Sequence, residues 1–271
     1  MRALIATGSK DAASKNILTS LLNNFEFSPQ EINLPGFTIY KLKDFDIFLT
    51  QTPELIDEDS GSGELLLAGL APLDILVMGA WHMGASPPLL CVHTGGNPGE
   101  ENPSLAFAPA AHMKFAVKRL EALNLQSGLN WLTCMEATHG PPIQFTTPFI
   151  TFEIGSTEND WANPTAGEIT AKAIVDTLIS EITPTSSVIA VGGSQYSGAV
   201  RKLLLDTEYA VGHFFSHSVS EHLGINVLKQ GIDKTIGKVT ALAINKKENS
   251  ETKTKFKQFA AELALETIIL K

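Results

Sequence analysis

Three strand-length runs are almost free of polar residues: LDILVMGA (Leu73–Ala80), PLLCVHT (Pro88–Thr94) and SVIAVGG (Ser187–Gly193). A strand with one wet face alternates apolar and polar side chains. A near-continuous apolar run of this length belongs to a strand covered on both faces, and that cover comes from helices. The intervening segments supply them. Pro109–Leu123 places Met113, Ala116, Val117, Leu120 and Leu123 at helical spacing. Asn163-Pro164 provides a cap and a first-turn proline for a helix running to about Ile182. Further helices are expected from about Asp11 to Leu22, His213 to Lys229 and Lys255 to Leu265. ALIATG, FTIYKL, IFLTQT, LNWLTCMEATHG, FITFEIGS and KVTALAI read as strands, and Glu54–Leu66 opens as a polar, Gly/Ser-punctuated break. Strands alternating with helices predict an α/β sandwich, a mixed sheet flanked by helices. No repeat or linker demands a cut, so residues 1–271 read as a single domain.

Bulk properties narrow the function. Two cysteines, Cys91 and Cys134, each sit inside an apolar run and read as buried thiols in a reduced compartment. No Cys-x-x-Cys pair predicts a zinc ribbon. The most apolar window, Leu65–Ala80, is broken by Pro72 and Asp74, so no membrane span is expected. The N-terminal apolar stretch is too short for a signal peptide, and a soluble cytoplasmic protein is expected. The net charge of −9 argues against a general nucleic-acid binder. The charge is uneven, however. Residues 229–271 carry nine Lys against five acids, while the first 228 carry eleven basic and twenty-four acidic residues. A local basic surface remains available for phosphates, beside the plainer reading of a solvated lysine face.

Several strand ends share one grammar: an apolar run, a polar group, then glycine. They are MGAWHMG with His82, CVHTGG with His93, MEATHGP with Glu136 and His139, and FEIGST with Glu153. AVGGSQY ends in Ser194, Gln195 and Tyr196. Ligands bind at strand ends in sheets of this class. Histidine there exchanges a proton near neutral pH, and a carboxylate fixes its tautomer. Two or three histidines with a glutamate also suit a zinc ion with an open position for water. His213, His217 and Glu221 recur every four residues, the spacing of one helical stripe. Walker, G-x-S-x-G and H-E-x-x-H motifs are missing, which favours water attack over a covalent serine.

VHTGGN (Val92–Asn97), MEATHGP (Met135–Pro141), FEIGSTENDW (Phe152–Trp161) and GGSQY (Gly192–Tyr196), in that order, resemble the motifs of the archaeal- and plant-type D-aminoacyl-tRNA deacylases. His82, Gly212-His213 and Glu221-His222-Leu223 extend the resemblance over roughly residues 1–230. It implies a phosphorylase/peptidyl-tRNA hydrolase-like α/β fold, making residues 1–271 one deacylase-like domain. It also implies hydrolysis of the ester between a D-amino acid and the terminal ribose of tRNA, a chirality-proofreading step in translation quality control. By position, His93, His139, Glu136 and Glu153 would be catalytic. Thr94, Gly95, Gly96, Asn97, Gly155, Ser156, Thr157, Gly192, Gly193 and Tyr196 would bind substrate. Zinc is the implied cofactor, with His82, His93, His139 and His213 as ligands, and the aminoacylated tRNA end the partner of a monomer or small homo-oligomer. Gly140 and Gln195 stand where the family pattern has histidines, which removes two imidazoles from the zinc expectation. Two rival readings stay open on sequence: a non-catalytic binder of a tRNA end or nucleoside, and a hydrolase or phosphorylase of a small ester or nucleoside.

Overall fold

The structure, a computed structural model, describes residues 1–53, 62–84, 87–141 and 143–271. The polar stretch Glu54–Gly61 lies outside the described residues. The chain forms two compact units: Met1–Val92 with Arg119–Thr133 and Thr147–Glu181, and His93–Lys118 with Cys134–Thr146 and Ile182–Lys271. In chain order the first part runs β1 (Ala3–Gly8), α1 (Ala12–Asn24), β2 (Phe27–Pro29), β3 (Ile39–Leu42), β4 (Ile47–Thr52), α2 (Ser62–Leu70), β5 (Ile75–Met83) and β6 (Leu89–His93). It continues through α3 (Ala110–Ser127), β7 (Leu132–Met135), β8 (Phe149–Ser156), α4 (Glu158–Trp161) and α5 (Pro164–Ile179). The remainder is β9 (Ser187–Val191), α6 (Gly198–Asp206), β10 (Ala210–Phe215), α7 (His217–Ser220), α8 (Ile225–Asp233), β11 (Val239–Asn245), α9 (Ser250–Glu262) and β12 (Glu266–Leu270).

An eight-stranded sheet of order β2-β3-β4-β1-β5-β8-β6-β7 organises the first unit. β1 pairs parallel with β4 and β5, and β5 parallel with β8, while β2, β3 and β4 meet antiparallel. The sheet is therefore mixed, as the sequence predicted. Its central strands are buried on both faces: all six residues of β1 and all eight of β8 are buried. Each large aliphatic side chain buried this way contributes roughly 1.5–3 kcal/mol. Helix α1 begins at Asp11, whose carboxylate accepts from the Ser14 amide at 2.7 Å. Helix α5 begins at the predicted Asn163-Pro164 cap. The Asn16 amide reaches from α1 to the carbonyls of Trp161 and Asn163 at 2.9 and 2.7 Å, fixing the start of α5 after β8.

The second unit holds a four-stranded, all-parallel sheet of order β10-β9-β11-β12. Its core gathers Leu105, Ile189, Val191, Phe215, Leu228, Leu242, Ile244 and Phe256. The helix expected from His213 to Lys229 is overturned here. Residues 210–215 form strand β10, every residue of it buried, and helix resumes only at His217 and again at Ile225. The i, i+4 spacing of His213, His217 and Glu221 was coincidental, because AVGHFF is an apolar run that a central parallel strand absorbs. The last helix starts at Ser250, capped by Asn249, earlier than the Lys255 expected. β12 went unread because ETIIL exposes most of its residues at the sheet edge. No described helix is long and apolar enough to cross a membrane.

Candidate active site

Strand register places the first cluster. In the β5–β8 pair, Ala80 lies opposite Glu153 and His82 opposite Gly155. Side chains two residues apart share a face, so His82 and Glu153 stand on the same side, one step apart along neighbouring strands. Their side chains meet with Nδ1 3.1 Å from the Glu153 carboxylate. Both are buried, at 7% and 8% exposure. A carboxylate accepts, so Nδ1 carries the hydrogen and Nε2 presents its lone pair. Gly155 makes the pairing possible: a Cβ there would lie 2.5 Å from the His82 carbonyl oxygen and 2.6 Å from its Cβ. The Trp161 indole N–H, from α4, donates to that same carbonyl at 2.8 Å.

Cys91 joins this pair. Its Sγ lies 3.5 Å from the Glu153 carboxylate, and the three donor atoms of His82, Cys91 and Glu153 lie within 4.8 Å of one another. On sequence Cys91 read as a buried thiol in an apolar run. The signal was available in CVH: alternate residues of one strand share a face, so Cys91 points to the same side of β6 as His93.

The second unit carries its own cluster, built from loops. His93 ends β6, and His139 follows β7 by four residues. Their rings stack with centroids 4.1 Å apart. His93 Nδ1 donates to the Thr94 carbonyl at 3.2 Å, and His139 Nδ1 to the Ala137 carbonyl at 2.8 Å. A carbonyl only accepts, so both rings present Nε2 as a base or ligand atom. Main-chain carbonyls thus orient these two rings, where the sequence reading expected carboxylates. Glu136 is 2% exposed and accepts from the Gln195 amide at 3.1 Å. The Ala137 amide donates to the Gln195 carbonyl, which ties the 192–197 loop to the same corner.

The glycines of these motifs also serve packing. Gly96 is buried, its amide bonded to the Gly140 carbonyl at 2.8 Å, and a Cβ there would strike Leu105 and Thr138, both at 2.7 Å. Its missing side chain serves packing. Asn97 accepts from the Ser104 amide at 2.5 Å and Gly95 from the Ala106 amide at 3.0 Å, which pins the loop. The hydroxyls of Thr94 and Ser156 are buried without a hydrogen-bond partner. Thr157 caps α4 in a reciprocal box with Asp160. Gly192 and Gly193 sit at φ +86° and +92°, with a Cβ at Gly192 blocked by Glu248 at 2.4 Å. Gly140 has φ +69°, a conformation that a histidine would adopt only under strain.

His213 leaves the ligand set. It is fully buried, stacks on Phe215, and its Nδ1 lies 3.3 Å from the Thr138 hydroxyl. Burial, aided by the charge of Lys234, lowers its pKa to about 3. Among the described residues it belongs to no group of three metal-type donors. His217 pairs instead with the buried Glu248, its Nδ1 2.8 Å from that carboxylate; the hydrogen bond raises its pKa above the usual histidine value.

The sequence profile of the family described as D-aminoacyl-tRNA deacylase matches residues 71–268. A D-aminoacyl-tRNA deacylase of Pyrococcus abyssi is 32% identical over 273 residues, covering 98% of both chains. One of Thermococcus onnurineus is 33% identical over 277 residues, again covering 98% of each. The crystal structure of a conserved protein of unknown function superposes with a TM-score of 0.86 at 25% identity, covering 99% of this chain and 95% of that one. With a profile spanning most of its length and relatives matched end to end, this chain belongs to the D-aminoacyl-tRNA deacylase family.

Proposed function

We propose that the protein hydrolyses the ester of D-aminoacyl-tRNA, releasing free D-amino acid and tRNA, as a quality-control step of translation in the cytoplasm. The observation that carries this reading is the end-to-end match to relatives named for that activity. The ester carbonyl is attacked by water, and the acyl–oxygen bond to the terminal ribose breaks. The base that takes the water proton is His93 or His139, each presenting Nε2 because a main-chain carbonyl holds its Nδ1–H. Glu153 performs the same service for His82. Discrimination between D and L esters, which are equally reactive, falls to the shape of the pocket.

The donor chemistry of the first cluster suits zinc. Zinc takes His nitrogen, Cys sulfur and carboxylate oxygen, and one such atom from each of His82, Cys91 and Glu153 lies within 4.8 Å of the others. These three residues would hold the ion, which when bound supplies Lewis acidity at an open fourth position. His93 and His139 keep the proton-transfer role.

Single-turnover deacylation of D-Tyr-tRNA and L-Tyr-tRNA, run beside elemental analysis of the purified protein, tests this reading. D-selective cleavage with about one zinc per chain, lost in Cys91→Ser, supports both halves. Absence of cleavage with tRNA still bound would make the protein a binder. D-selective cleavage without zinc would retain the function and remove the metal.

A further inference from the structure

A cavity of about 710 Å³ opens beside the 192–197 loop. It is lined by Gly193, Ser197, Gly198 and Ala199 and by the turn after β11. Its exposed ionisable side chains are all basic: His217, Lys246, Lys247 and Lys271. None of the three lysines has an ion-pair partner among the described residues. The acidic side chain among its described lining residues, Glu248, is 3% exposed and already engaged, and the terminal carboxylate of Lys271 adds a further negative group. Glu248 accepts from the Gly193 amide at 3.0 Å, from His217 at 2.8 Å and from the Ser220 hydroxyl at 3.2 Å. Its charge favours a cationic His217, which offsets it at the cavity. Glu221, whose charge also reaches His217, accepts from Asn249 at 3.2 Å. The exposed first turn of α6 adds the Gly198 and Ala199 amides, which no helix carbonyl can satisfy.

We propose that this cavity binds a backbone phosphate of the tRNA substrate, held by Lys246, Lys247 and His217 against the amide end of α6. The inference rests on the proposed deacylase function for the identity of the polyanion. It resolves a conflict in the charge: a chain of net −9 receives tRNA at one local basic cavity, next to the loop that also holds Glu136. A phosphate there anchors the strand without entering the chemistry. Loss of the anchor therefore weakens binding and leaves turnover alone.

The test compares wild type with Lys246→Glu/Lys247→Glu, and with a control carrying the same charge change on exposed Lys229 and Lys238. Binding of deacylated tRNA is followed by fluorescence anisotropy from 50 to 300 mM salt, and deacylation by steady-state kinetics on D-aminoacyl-tRNA and on D-aminoacyl-adenosine. The expected result is about a tenfold or greater rise in Kd and KM for tRNA, unchanged kcat, and a salt slope shallower by roughly 1–2. Activity on D-aminoacyl-adenosine and the behaviour of the control stay within about twofold. Equal losses in variant and control, an unchanged salt slope, or lost activity on D-aminoacyl-adenosine would overturn the proposal. A wild type that binds tRNA without cleaving it, with binding lost in the variant, would sink the deacylase function and keep the phosphate site.

Discussion

His82 and His93 are both strand-borne histidines near the ends of apolar runs, yet they are held by different means. His82 lies inside β5, and its partner is set by register: shifting β8 by one residue would turn Glu153 to the opposite face. His93 is the last residue of β6 and His139 stands in a loop, and both take their orientation from nearby main-chain carbonyls. The first arrangement is specified by long-range pairing and suits a fixed donor set. The second is specified locally and suits groups whose protons must move. The difference predicts that damage to the first cluster registers in metal content and folding, and damage to the second in the rate of chemistry.

The largest effect is expected at the second cluster. His93→Ala should lower single-turnover deacylation by roughly 10²–10⁴-fold, the range for a removed general base, with zinc content and melting temperature near wild type. An equal fall in zinc would merge the two clusters and break the comparison. Next comes Glu153→Gln, which keeps the shape but weakens the acceptor for His82. Elemental analysis should show markedly less zinc per chain than in wild type, because a neutral amide is a poor replacement for a carboxylate ligand. Retained zinc would remove Glu153 from the donor set.

Gly155→Ala sharpens the register argument. The added methyl meets backbone rather than a flexible side chain. A destabilisation of about 1–3 kcal/mol is expected, read as a lowered thermal midpoint together with reduced metal content. The last effect, silent at neutral pH, concerns acid stability. His213 has a folded pKa of about 3 against an unfolded value of 6.5, so the unfolded chain binds the extra proton first. Stability contributed by the neutral ring is full above about pH 6.5 and drains as pH falls toward 3. In chemical denaturation, His213→Leu should flatten that part of the pH profile. An unchanged profile would assign the acid lability elsewhere.

What sequence made legible follows from the same division. Apolar runs announced the buried strands, and Asn163-Pro164 announced α5, because both signals are local. His93, Glu136, His139 and Glu153 were singled out because each follows or ends such a run. The His82–Glu153 contact was not legible, since it depends on which strands become neighbours and in what register. Cys91 was hidden by the ordinary habit of cysteine to fill cores. The packing role of Gly96 was not legible, because Leu105 and Thr138, which occupy the space beside it, come from segments distant in sequence. His213 was misassigned because helical spacing competed with an apolar run that tertiary burial decided.

The central claim is that this chain cleaves D-aminoacyl-tRNA with His93 or His139 moving the proton. Single-turnover rates for D-Tyr-tRNA and L-Tyr-tRNA, measured on wild type, His93→Ala and His139→Ala at equal occupancy of tRNA, test it most directly. The account predicts strong D selectivity in wild type and at least a hundredfold loss in one of the two variants, with tRNA affinity retained. Equal rates for both esters, or full activity in both variants, would contradict it.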